Sequence, residues 1–122
     1  MDWWSDLKYF KRSEFFCKCG CGEADMDEQF MRKLDSARET LGFPLPISSG
    51  YRCPRHNNNV SSTGFTGPHT TGKACDIALS RARASRALGV LHFLFEGMGV
   101  NQKGEGRFLH VDDCGPDRLW SY

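Results

Sequence analysis

The chain has 122 residues, 39% of them hydrophobic and 25% charged, with a formal net charge of +1. That length is enough to bury a core without help from disulfides, and the composition is that of an ordinary soluble domain. The Lys and Arg residues are scattered instead of forming a basic stripe, which argues against nucleic-acid binding. No apolar run reaches the roughly 20 residues of a membrane span, so no membrane partner is expected. The N-terminus, MDWWSDLKYFKRSEF, lacks an export signal, so synthesis in the cytoplasm is expected.

Residues 1–16 are dense in aromatics: Trp3, Trp4, Tyr9, Phe10, Phe15 and Phe16. The pattern predicts a segment laid over the body of a single domain spanning 1–122, its rings filling a groove; a sugar-binding platform is the functional alternative. Six cysteines follow in the chain, and without an export signal they are expected to be reduced. Cys17, Cys19 and Cys21 alternate in CKCGCG, which is not the C-x-x-C spacing of a zinc knuckle. Small residues packing a Gly-rich turn are the preferred reading. A structural metal shared with Cys53 or Cys114 is the alternative, and a cysteine-based redox or zinc-ribbon protein is a third idea.

From Asp27 to Leu41, Phe30, Met31, Leu34, Ala37 and Leu41 recur at helical spacing, with Asp25 as N-cap and Gly42, Pro44 and Pro46 as the stop. Pro44–Tyr51 reads as a short strand. The next stretch, CPRHNNNVSSTGFTGPH, is polar and Gly-containing and reads as a long loop, which is commonly functional. Lys73–Leu79 alternates as a strand, and Ser80 precedes a second helix over Arg81–Glu96. Gly97–Gly106 reads as a connector, Arg107–Asp112 as a last strand, and Leu119, Trp120 and Tyr122 as closing apolar bulk. The order predicts an α+β fold: a small, mainly antiparallel sheet, two main helices, and a zinc site on the open face of the sheet.

The chemistry concentrates in GPHTTGKACD (67–76) and FLHVDD (108–113). In a strand, Ile77 and Leu79 face the core, so Asp76 faces the other way between Ala74 and Ala78. His110 and Asp112 likewise share a face, opposite Leu109 and Val111. His69, Asp76 and His110 then supply two imidazoles and a carboxylate, leaving a fourth tetrahedral position for water. A proton must also leave that water, and Asp112 and Glu105 are the candidate general bases. His56, in a polar loop, and His92, in mid-helix, are read as structural.

Three ordered motifs carry a family resemblance: S-G-Y-R at Ser49–Arg52, H-x-x-G-x-A-x-D at His69–Asp76, and H-V-D at His110–Asp112. Together with EFFCKCGCG, LGFPLPISSGYRCPRHN and Arg118/Trp120, they make residues 13–120 resemble the peptidase M15 family. These are zinc D-Ala-D-Ala carboxypeptidases and related peptidoglycan peptidases, with short phage and prophage forms the most similar. The resemblance implies one zinc ion per chain on His69, Asp76 and His110. It implies that Arg52 binds substrate and polarises its carbonyl, a role a guanidinium's planar donors suit. It further implies a monomer acting on peptidoglycan stem peptides as a D,D-carboxypeptidase or endopeptidase, reached after holin-type release or virion delivery. Two departures stand out. Many relatives carry serine where Gly67 stands, and the acid found in several branches three positions before the last histidine is replaced by Arg107. Either Asp112 or Glu105 then takes the base's part. The alternative is a non-catalytic zinc- or cell-wall-binding module, such as a phage structural component.

Overall fold

A computed structural model describes residues 2–122. The expected α+β fold is found: a five-stranded sheet, antiparallel except for one pair, with three helices. In chain order these are α1 (Glu28–Leu41), β1 (Ile47–Ser49), α2 (Pro54–Val60), β2 (Ala74–Ile77), α3 (Arg81–Leu94), β3 (Gly97–Asn101), β4 (Phe108–Asp112) and β5 (Arg118–Ser121). The strands lie in the order β1-β2-β4-β3-β5, and β5 runs parallel to β3. No helix among the described residues is long and apolar enough to cross a membrane.

Helix α1 follows from its apolar spacing. Phe30, Met31, Leu34 and Ala37 all fall on the buried side. The cap is Asp27 and not the expected Asp25: its carboxylate accepts from the Phe30 N–H at 3.0 Å, satisfying one of the first-turn donors. Leu91 of α3, Ile77, Met98, Leu109 and Val111 meet that stripe, and each is at most 1% exposed. Strand alternation is what sends these residues to the helices while Asp76, His110 and Asp112 take the other face.

Three segments differ from expectation. The loop expected after Tyr51 contains α2 and two 3-10 turns at Gly64–Thr66 and Pro68–Thr70. Pro54 opens α2 at the first helical position, where a missing N–H costs nothing. The expected connector 97–106 begins with a true strand, β3, and of the closing apolar residues Leu119 and Trp120 belong to β5, with Tyr122 just beyond it. In the N-terminal segment Phe10 and Phe15 are buried, Phe16 is exposed, and Trp3 and Trp4 stack at 4.5 Å and pack against the core cluster.

Candidate active site

The site is built on two rows of residues that cross the sheet. In one row Asp76 pairs with His110, His110 with Gly99, and Gly99 with Trp120. In the other Ala74 pairs with Asp112, Asp112 with Gly97, and Gly97 with Arg118. The two glycines are the reason β3 contributes no side chain to either row. A Cβ on Gly99 would stand 2.7 Å from the Trp120 ring, and one on Gly97 would overlap the Asp112 carboxylate and stand 2.6 Å from Arg118 Nη2. Across this bare strand Trp120 packs on the His110 ring, centroids 5.3 Å apart, and Arg118 forms an ion pair with Asp112.

His69 comes from the 3-10 turn at Pro68–Thr70, and two backbone contacts locate that turn. The Arg52 N–H donates to the His69 carbonyl at 3.1 Å, and the Asp27 N–H donates to the Gly72 carbonyl at 2.9 Å. Gly72 passes so close to the Asp25 carbonyl that a side chain would collide there.

The structure brings His69, Asp76 and His110 together, with one donor atom of each inside a 4.8 Å span. All three are largely buried. The hydrogen-bond partners fix the tautomer of His69 and frame that of His110. His69 Nδ1 lies 2.8 Å from the Gly50 carbonyl oxygen, which only accepts, so Nδ1 carries the proton and Nε2 bears the lone pair. His110 lies between two carboxylates, with Nε2 2.8 Å from Asp112 Oδ2 and Nδ1 2.9 Å from Asp76 Oδ1; in the neutral ring, a proton kept on Nε2 by Asp112 leaves the lone pair on Nδ1. Both free nitrogens point at the same carboxylate oxygen, Asp76 Oδ1, at 3.4 Å and 2.9 Å. With the His110 proton on Nε2, three acceptors face one point and repel unless they share a cation, a role that a second proton on His110 Nδ1 or a metal ion would fill. Donors about 2.0–2.1 Å from a tetrahedral zinc ion stand about 3.3–3.4 Å from one another, so the set fits that ion.

The electrostatics follow from the same contacts. Burial alone would raise the Asp76 pKa, but His110 and His69 hold it well below the usual carboxylate range. Burial works against a charged His110, yet the Asp112 and Asp76 carboxylates outweigh it and raise its pKa. Asp112 is fully buried, and burial would raise its pKa too. His110, the Cys114 N–H at 3.1 Å and Arg118 lower it instead.

Above the three donors lies a cleft of about 440 Å³, a size that suits a small ligand. Arg52 stands on one side, its Nη2 4.0 Å from Asp76 Oδ2 and its Nη1 donating to Asn57 Oδ1 at 3.1 Å. Asn57 is fully buried in α2 and donates in turn to Thr63 Oγ1 at 2.8 Å. The opposite wall is Phe108, Trp120, Tyr122 and Arg118.

Neither candidate base lines this cleft. Asp112 touches the outer nitrogen of His110, behind the ring, and Glu105 lines a separate concavity beside Ser80 and Arg81. Among the described residues Asp76 is the one carboxylate in the cleft wall. Gly67 also has a structural explanation. A Cβ there would overlap Thr63 Oγ1 and stand 2.8 Å from Asn57 Nδ2. The threonine hydroxyl therefore occupies the space beside this turn that a serine side chain would need. Sequence reasoning missed Asn57, Thr63 and Trp120 as parts of the site. The one available signal was the small-large alternation of Gly97-Met98-Gly99-Val100, which marks a strand with one bare face.

Comparison with known proteins gives one family. Residues 8–112 match the family model described as Peptidase M15. No curated protein and no solved structure matches the chain.

Proposed function

Because the chain belongs to the peptidase M15 family, and so is a peptidase, we propose that it is a zinc metallopeptidase that hydrolyses peptide bonds in bacterial peptidoglycan stem peptides. The observation that carries the zinc reading is the convergence of His69 Nε2 and His110 Nδ1 on Asp76 Oδ1, each ring hydrogen-bonded from behind through its other nitrogen. When bound, zinc supplies a Lewis acid that polarises a carbonyl and lowers the pKa of its water to about 7.

The chain's own residues do the rest. Asp112 keeps the proton of His110 on Nε2 and fixes the ring's direction, the part a carboxylate behind a ligating histidine plays. Arg118, paired with Asp112, holds that carboxylate ionised. Arg52, steadied by Asn57, presents its guanidinium to the cleft, where it suits either a terminal carboxylate or the negative charge developing on a carbonyl oxygen. Trp120 and Tyr122 offer apolar surface, and Ser61, Ser62 and Thr63 offer hydroxyls, a wall suited to a short peptide with small side chains. The protein acts as a monomer and meets the wall after holin-type release or virion delivery.

One observation favours a second reading, a non-catalytic zinc- or wall-binding module: among the described residues the cleft wall has no carboxylate besides Asp76 to accept the water's proton. Incubating purified protein with peptidoglycan, with chelator and then with zinc restored, separates the two. Mass spectrometry should show new termini that vanish with chelator and return with zinc. Binding without new termini under any metal condition would sink the peptidase reading for this substrate.

A further inference from the structure

The mechanism leaves CKCGCG unused, and the fold gives it a partner. The C-x-C-x-C pattern puts three thiols within one short stretch. The turn that follows closes on itself, with the Cys17 N–H donating to the Glu23 carbonyl at 2.8 Å and the Gly20 N–H to the Cys17 carbonyl at 3.3 Å. Gly20 and Gly22 sit at φ 87° and 79°, angles other residues rarely adopt. Cys53, the residue between Arg52 and the first turn of α2, meets this loop from the far side. Its backbone N–H points at Cys17 Sγ, 3.3 Å away.

The four sulfur atoms of Cys17, Cys19, Cys21 and Cys53 all lie within 4.8 Å of one another. Cys17 and Cys19 are 3.4 Å apart, and Cys19 and Cys53 are 3.7 Å apart. A disulfide needs about 2.05 Å. Thiolates about 2.3 Å from a tetrahedral zinc ion stand about 3.8 Å apart, so the observed spacing is that of ligands around one centre. Cys114, the other partner the sequence offers, is instead beside Thr71 at 3.6 Å, and Cys75 is buried in β2.

We propose that Cys17, Cys19, Cys21 and Cys53 hold a second, structural zinc ion. Four thiolates fill every position of a tetrahedral site, leaving none for substrate, and soft sulfur donors select zinc over magnesium or calcium. The ion ties the N-terminal segment to the residue beside Arg52. It would reinforce the bond from the Tyr51 N–H to the Phe15 carbonyl at 3.1 Å, which joins the same two segments. This site is independent of the histidine cluster.

The test is metal content of the full chain purified under reducing conditions, together with absorption of the cobalt-loaded protein. Wild type should hold two zinc ions per chain and show thiolate-to-cobalt charge transfer. His69→Ala should lose one ion and keep that band. Cys19→Ser and Cys53→Ser should lose one ion and lose the band. The wild-type band needs no variant to fold. Its absence, or cysteine variants with unchanged metal content, would overturn the proposal. Failure of the histidine site alone would show differently, as one ion per chain that keeps the charge-transfer band.

Discussion

The position of Asp112 makes Asp112→Asn the most informative substitution. In the wild type its Oδ2 receives the His110 Nε2–H at 2.8 Å, while its Oδ1 faces Arg118 and accepts from the Cys114 N–H at 3.1 Å. An asparagine of the same shape has one acceptor oxygen for these donors. If that oxygen faces His110, the amide NH2 is left against the Arg118 guanidinium. If it faces Arg118, the NH2 meets His110 Nε2 and drives the imidazole proton to Nδ1, the nitrogen aimed at Asp76. Either way the orientation of a ligand weakens. Loss of the carboxylate behind a ligating histidine typically reduces metal affinity 10- to 100-fold, about 1.4–2.7 kcal/mol.

The assay is a competition titration of zinc against a chromophoric chelator, followed by kcat at saturating zinc. Asp112→Asn should weaken zinc binding by that factor and recover much of its kcat once zinc is saturating. Asp112→Glu, which restores the charge, should recover part of the affinity. A general base behaves oppositely. If zinc affinity stays within about twofold while kcat falls by the 10²–10⁴ that general-base catalysis contributes, the positioning role is refuted and Asp112 acts on the water itself.

Other outcomes follow from the same contacts. Glu105→Ala should leave kcat/KM nearly unchanged, since Glu105 lines a different concavity from the three metal donors; a loss beyond tenfold in steady-state kinetics would return it to the reaction. Arg52→Ala should lower kcat/KM on wall peptides by about 10²–10³ with zinc content unchanged, the cost of removing one donor to a developing oxyanion. Gly97→Ala should weaken zinc binding although residue 97 touches no metal, because its Cβ would overlap the Asp112 carboxylate; isothermal titration reads this directly. The raised pKa of His110 sets the pH dependence. Zinc needs the neutral ring, so affinity should fall up to tenfold per pH unit as pH drops through that raised value. In metal-free protein the sign reverses. A pKa raised above the unfolded value of about 6.5 stabilises the fold below about 6.5, and that contribution is lost as pH rises through the folded value. Thermal melts with and without zinc across this window should therefore slope in opposite directions.

Whether a feature could be read from the sequence depended on how local its cause is. Helix α1 and strands β2 and β4 declare themselves through side-chain period alone, and the same alternation correctly turns Asp76, His110 and Asp112 away from Ile77, Leu109 and Val111. Helix α2 does not, because PRHNNNV has no apolar stripe; its one buried residue is Asn57, held by polar bonds to Arg52 and Thr63. Strand β3 was hidden for the opposite reason. Glycines at 97 and 99 resemble a connector until β5, some twenty residues later, lays Arg118 and Trp120 across them. A parallel pairing of that kind has no turn signature in the sequence between its strands. The part played by Asp112 shows the same limit at atomic scale. H-V-D spacing places both side chains on one face, but which ring nitrogen meets Asp112 is settled by Asp76 and β2 occupying the other side of His110. A base in front of the ring and a brace behind it would have the same sequence; the strand order β2-β4-β3 is what puts the Asp112 carboxylate on the side of His110 away from Asp76.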